Sequence, residues 1–167
     1  RQNMSTMAEM LGSRRLQTVR KVRMQWGLEV SEELLEAVAR HQGLREVDMR
    51  FANMSTMEPS LLARVVNRLE EVVMKDITLN LQQWEAILKE ISAGDCQVWK
   101  LSISGNNMTS VDAGLLATAV KRLEEVQLED TQMTEPQAEA ILTAISTGDC
   151  KTTKLDIGHN KLSALNP

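Results

Sequence analysis

Adjacent acids stand at Glu70-Glu71 and Glu124-Glu125, thiols at Cys96 and Cys150, and the only histidines are His41 and His159. Paired carboxylates can share acid–base work, a thiolate can attack an electrophile, and an imidazole can do either or hold a metal. The spacing supports none of these. The two acid pairs are copies of one another, 54 residues apart, and on an extended chain adjacent side chains leave on opposite sides. Neither histidine has a companion at ligand spacing, and a phosphate-cradling glycine loop, a nucleophile elbow and an HExxH pair are missing. The sequence calls for no enzyme, no metal and no cofactor. A different chemistry is offered by Arg23, Trp26, Asp48, Arg50 and Phe51, because tryptophan, other aromatics and arginine are the types that concentrate binding energy at interfaces.

Those residues need a scaffold, and self-similarity supplies it. Leu69-Glu-Glu-Val returns as Leu123-Glu-Glu-Val, Glu85-Ala-Ile-Leu as Glu139-Ala-Ile-Leu, and Gly94-Asp-Cys96 as Gly148-Asp-Cys150, all at an offset of 54. Inside that period lies a shorter one, marked by apolar-x-apolar steps at Val22/Met24, Val47/Met49, Val72/Met74, Leu101/Ile103, Val126/Leu128 and Leu155/Ile157. The spacings are 25, 25, 29, 25 and 29. Alternation at the start of each unit has the period of a short half-buried strand. The second half of the unit has helical spacing instead, as in Leu34, Leu35, Val38 and Ala39, or Leu61, Leu62, Val65 and Val66. Ser31, Asn80 and Thr134 suit helix N-caps, Pro59 and Pro136 suit first turns, and Gly43, Gly94 and Gly148 stand where a left-handed residue would end a helix. His41 closes a helix, where an imidazolium would suit the dipole. The methionines Met24, Met49, Met74, Met108 and Met133 fall on core columns.

Strand-plus-helix units of this length cannot bury an apolar face alone, so they must stack into a parallel sheet lined by helices. Strands pack about 4.8 Å apart and helices about 8–10 Å, so the stack is expected to curve into a horseshoe with the strands inside. The fold class is α/β: a solenoid of about six repeats over residues 1–167, with the sheet concave and the helices convex. The units read as apolar-x-x-apolar-x-apolar-x-x-Asn-x-apolar, for instance from Val98 through Leu101, Ile103 and Asn106 to Met108. This resembles leucine-rich repeats of the helix-rich kind found in ribonuclease inhibitor and in NOD-like immune receptors. Ala52, Ile77 and Thr131 depart from the motif where its asparagine would stand.

With 167 residues, 43% apolar and 25% charged, the chain has the size of one domain and a core poor in aromatics, which number four: Trp26, Phe51, Trp84 and Trp99. No apolar run approaches a membrane span, and no leader opens the chain, so membrane association is not expected. Residues 1–50 carry nine basic and seven acidic side chains, and residues 51–167 carry ten and sixteen. An acidic chain with few aromatics argues against nucleic-acid binding. Cys96 and Cys150 share a column two repeats apart, about 10 Å, too far for a disulfide, so they are expected to be free and the compartment cytoplasmic. Asn3-Met-Ser, Asn53-Met-Ser and Asn107-Met-Thr fit the glycosylation sequon, yet they occupy one loop position of the repeat and count once. Both ends fall mid-repeat without polar caps, which suggests an excerpt of a longer array able to self-associate end to end.

Recognition is expected on the concave strand face. Its middle column reads Arg23, Asp48, Val73, Ser102, Gln127 and Asp156. The next reads Gln25, Arg50, Lys75, Ser104, Glu129 and Gly158, and beside it run Trp26, Phe51, Asp76, Gly105, Asp130 and His159. A basic and aromatic end at Arg23, Trp26, Arg50, Phe51 and Lys75 thus faces an acidic end at Glu129 and Asp130, with Asp48 among the arginines. The resemblance implies a protein- or ligand-binding segment of an intracellular immune sensor. An inhibitor clamping one basic protein, and a GTPase-activating array, are the alternatives.

Overall fold

The computed structural model describes residues 4–13, 17–24 and 30–162, with side chains from residue 7 onward. Helices and strands alternate strictly: α1 (Met4–Gly12), β1 (Lys21–Arg23), α2 (Glu32–Arg40), β2 (Glu46–Asp48), α3 (Pro59–Asn67) and β3 (Glu71–Val73). They continue as α4 (Leu81–Ser92), β4 (Lys100–Ser102), α5 (Ala113–Val120), β5 (Glu125–Gln127), α6 (Glu135–Ile145) and β6 (Lys154–Asp156). The six strands form one open parallel sheet in sequence order. Val22 lies beside Val47, Val47 beside Val72, Val72 beside Leu101, Leu101 beside Val126 and Val126 beside Leu155, in the register set by the alternating spacings. The chain is an α/β repeat solenoid.

Alternation along each strand decides which side chains enter the core. Val22, Val47, Val72, Leu101 and Val126 are buried, and so are Met24, Met49, Met74, Ile103 and Leu128 two residues on. They join the apolar faces of the helices, among them Leu34, Leu35, Leu61, Leu62, Ile87, Leu88, Leu116 and Ile141, in a single cluster. Met108 and Met133 are buried there too. Truncating a fully buried leucine such as Leu88 to alanine removes contacts worth about 2–5 kcal/mol. No helix among the described residues is long and apolar enough to cross a membrane.

Helix starts follow the expected chemistry. Ser31 accepts from the Leu34 amide, Asn80 from Gln83 and Thr134 from Gln137, the last two as reciprocal capping boxes. Helix ends differ from expectation. Gly94 is left-handed, with φ +96°, whereas Gly43 and Gly148 are not. Gly43 is required by close approach: a Cβ there would overlap the Gln17 carbonyl. His41 caps α2, but buried, and its Nδ1 accepts from the Leu44 amide at 3.0 Å. That bond needs an unprotonated Nδ1, so the ring serves as an acceptor here rather than as an imidazolium.

Polar side chains staple repeat to repeat. Asn106 donates to the Met74 and Ile103 carbonyls, both at 2.7 Å, and accepts from the Ile77 amide at 3.0 Å. Asn160 does the same one long period later, donating to Leu128 and Ile157 and accepting from Thr131 and Met133. Ile77 and Thr131 stand where an asparagine would be expected because the following unit's asparagine already satisfies their backbone.

Candidate functional site

The face of the sheet opposite the core carries no covering element among the described residues, and its side chains fall in columns. The first is an ion ladder. Lys21 bonds Glu46, and Glu125 sits between Lys100 at 3.2 Å and Lys154 at 3.3 Å. Burial raises the Glu125 carboxyl, but the hydrogen bonds and charges of the two lysines outweigh it and hold the group below the usual carboxylate range. Glu71 lies in register between Glu46 and Lys100, while Lys100 turns to Glu125 instead. Glu70, its neighbour in sequence, pairs with Arg45 at 3.3 Å.

The second column contains Asp48, which is only 1% exposed although it points away from the core. Arg50 Nε lies 3.1 Å from one carboxylate oxygen and Arg23 Nε 3.6 Å from the other. Both arginines remain substantially exposed. Asp48 therefore does not offer its carboxylate to a partner; it anchors two guanidinium groups on the surface, an arrangement that also offsets the cost of burying its charge. In the same column Ser102 is 1% exposed, and two residues on Ser104 is 7% exposed. Neither hydroxyl has a hydrogen-bond partner.

A further column is left-handed after β2 to β6. Phe51, Asp76, Gly105, Asp130 and His159 have φ of 60°, 52°, 75°, 52° and 57°. The conformation costs roughly 1–2 kcal/mol for a side chain lacking a compensating bond. Its position is set by the ladder: Phe51, Asp76, Gly105 and Asp130 donate their amides to the carbonyls of Lys75, Ser104, Glu129 and Gly158, at 2.9–3.1 Å. Phe51 is 41% exposed.

The residues of the expected basic and acidic ends fall as follows. Arg23, Arg50, Phe51 and Lys75 occupy β1 to β3 and the turns after them, and Glu129 and Asp130 follow β5. Trp26 and Gln25 lie outside the described residues. Glu129 approaches His159 Nε2 at 3.4 Å. Sequence reasoning missed Gln83 and Gln137, whose side chains are buried and reach back to the preceding repeat. Gln83 Nε2 donates to the Met54 and Met57 carbonyls and Gln137 Nε2 to those of Met108 and Val111, at 2.6–2.8 Å. Their recurrence at the 54-residue offset was the available signal.

Elsewhere, Cys96 and Cys150 are free and half-buried, as expected, and burial pushes the Cys96 thiol up. No group of three potential metal ligands occurs among the described residues. Asn53 and Asn107 use Oδ1 to accept from the amide and hydroxyl of Ser55 and Thr109, so the recurring sequon is also a recurring local turn. Asn3 lies outside the described residues. On the helix side an open cleft of about 840 Å³ between α1 and α2 includes Glu32, Glu33 and Glu36 in its walls. Glu36 is committed to Arg40 and Arg64.

No protein-family model matches the chain, and no curated protein matches it at a significant level.

Proposed function

We propose that the chain is a non-catalytic recognition module that binds a protein partner on the open face of its sheet. The supporting observation is Phe51. Its ring is 41% exposed at the left-handed position its column shares, and an exposed aromatic with arginines nearby is the kind of group that concentrates binding energy at interfaces. Arg50 and Arg23, held upright by the buried Asp48, stand beside it. Rigid presentation by a parallel sheet limits the ordering cost of binding. The repeat motif with its Asn106 and Asn160 staples favours the leucine-rich repeat class, and within it the sensing array of an intracellular, cytoplasmic NOD-like receptor.

A peptide-display library selected on the wild-type chain tests the reading. Clones should be lost on Phe51→Gly and retained on the helix-side change Glu139→Lys. Clones indifferent to Phe51→Gly, Arg50→Glu and Arg23→Glu would place recognition elsewhere.

A further inference from the structure

Asp76 and Asp130 flank Gly105 in the left-handed column, and among the described residues neither carboxylate has a hydrogen bond or an ion pair. The Asp76 carboxylate leans across the neighbouring strand: a Cβ built on Gly105 would lie 2.7 Å from Asp76 Cγ and would overlap its Oδ1. Gly105 is therefore open because the carboxylate occupies the room a side chain would take. Asp130 follows the next strand, one spacing of about 4.8 Å farther along. Asp76 and Asp130 thus stand about two strand spacings, roughly 10 Å, apart at the backbone, and a cation placed between two exposed, unpaired carboxylates would be attracted by both.

The floor of this notch is Ser104. Its hydroxyl is among the buried polar groups without a partner, and because Ile103 points into the core, Ser104 points to the open face. Its own carbonyl receives the Asp76 amide at 3.1 Å, so the two residues are neighbours across the ends of β3 and β4. A buried hydroxyl with no partner is costly unless something outside the chain completes it. Lys75 flanks Ser104 on one side and Glu129 on the other, so the balance around the notch is three acids to one base. A seat with acidic walls and a hydroxyl acceptor suits a planar cation that donates several hydrogen bonds, which is the chemistry of arginine.

Resting on the reading of the sheet face as a protein-binding surface, we infer that Asp76, Ser104, Gly105 and Asp130 form a seat for one arginine side chain of the partner. The guanidinium donates to both carboxylates and to Ser104 Oγ, and Gly105 leaves room for the Asp76 carboxylate to lean into the seat. An aromatic anchor at Phe51 and a cation seat two strands away would together fix the direction in which the partner crosses the sheet.

An NMR titration with acetyl-Gly-Arg-Gly-amide, beside the same peptide with citrulline replacing arginine, tests the seat on the intact chain. The expected result is saturable shifts at the Asp76, Gly105 and Asp130 amides with the arginine peptide only, weakened at least about tenfold by Asp76→Asn. Asp130→Asn gives a second variant, and retained spectral dispersion confirms that each is folded. Equal responses to both peptides, no saturable shift at Gly105, or full binding by both folded variants would overturn the seat. Display clones that still depend on Phe51 would then leave the sheet-face reading standing, whereas clones independent of Phe51 beside a working arginine seat would remove Phe51 as an anchor and leave the seat.

Discussion

Gln83 on α4 donates from Nε2 to the carbonyl of Met54, 29 residues earlier, at 2.8 Å, while its Oε1 closes the capping box on the Asn80 amide. One buried amide thus starts a helix and ties it to the preceding repeat. Gln83→Leu keeps the volume but strips the Met57 carbonyl of its Gln83 donor, leaves the Met54 carbonyl only the Met57 amide, and opens the capping box. The expected loss is about 2–4 kcal/mol in denaturant unfolding, and a change below about 0.5 kcal/mol would show the staple to be idle.

Phe51 separates stability from recognition. Glycine accepts φ of 60° without strain, so Phe51→Gly should hold or raise the melting temperature, the relieved strain amounting to about 1 kcal/mol, while binding at the sheet face is lost. A marked fall in melting temperature would mean that the ring belongs to the packing.

Glu125 makes the ion ladder sensitive to acid. Its carboxyl is lowered in the folded chain, so the folded state binds a proton less readily than the unfolded one. The contribution is present above the usual carboxylate range and disappears as pH falls through the lowered value. Glu125→Gln should therefore be less stable than wild type near neutrality, with the gap closing as pH falls through the lowered value. Parallel thermal melts at several pH values measure it, and a gap that widens on acidification would reverse the assignment.

Cys96 is expected to react slowly. Burial raises its thiol above the ordinary value, so less thiolate is present at any given pH, and the same burial slows access of the reagent. Pulsed alkylation read by mass spectrometry should label Cys96 more slowly in the folded chain than in denaturant. Equal rates would contradict its burial.

Asn106 and Asn160 make the same bonds from different depths, since Asn106 is buried and Asn160 is only half-buried at the last strand. Asn106→Ala should cost about 2–3 kcal/mol and Asn160→Ala less, because water can replace partners at the open end. Equilibrium unfolding of both variants checks the order.

Repeat lengths alone decide the register of this sheet. Spacings of 25 and 29 residues put Val47 beside Val72 and Val72 beside Leu101, and period-two alternation then assigns every strand side chain to the core or to the open face. Those are one-dimensional properties of the chain, so the columns containing Asp48, Ser102 and Asp130 were legible from the residue order. The helix caps at Ser31, Asn80 and Thr134 were legible for the same reason, since each depends on residues within one turn.

How far each column residue is covered, and what completes it, lay beyond the pattern. Asp48 and Arg23 share an alternation class, yet one is buried and the other exposed, because coverage on an open face depends on the length of the side chains on the neighbouring strands. The tilt of Asp76 over Gly105, the left-handed backbone of Phe51 and the solitary hydroxyl of Ser104 arise where three strands end side by side. Such contacts join residues about 25–30 positions apart and have no local signature, so only the tertiary packing decides them.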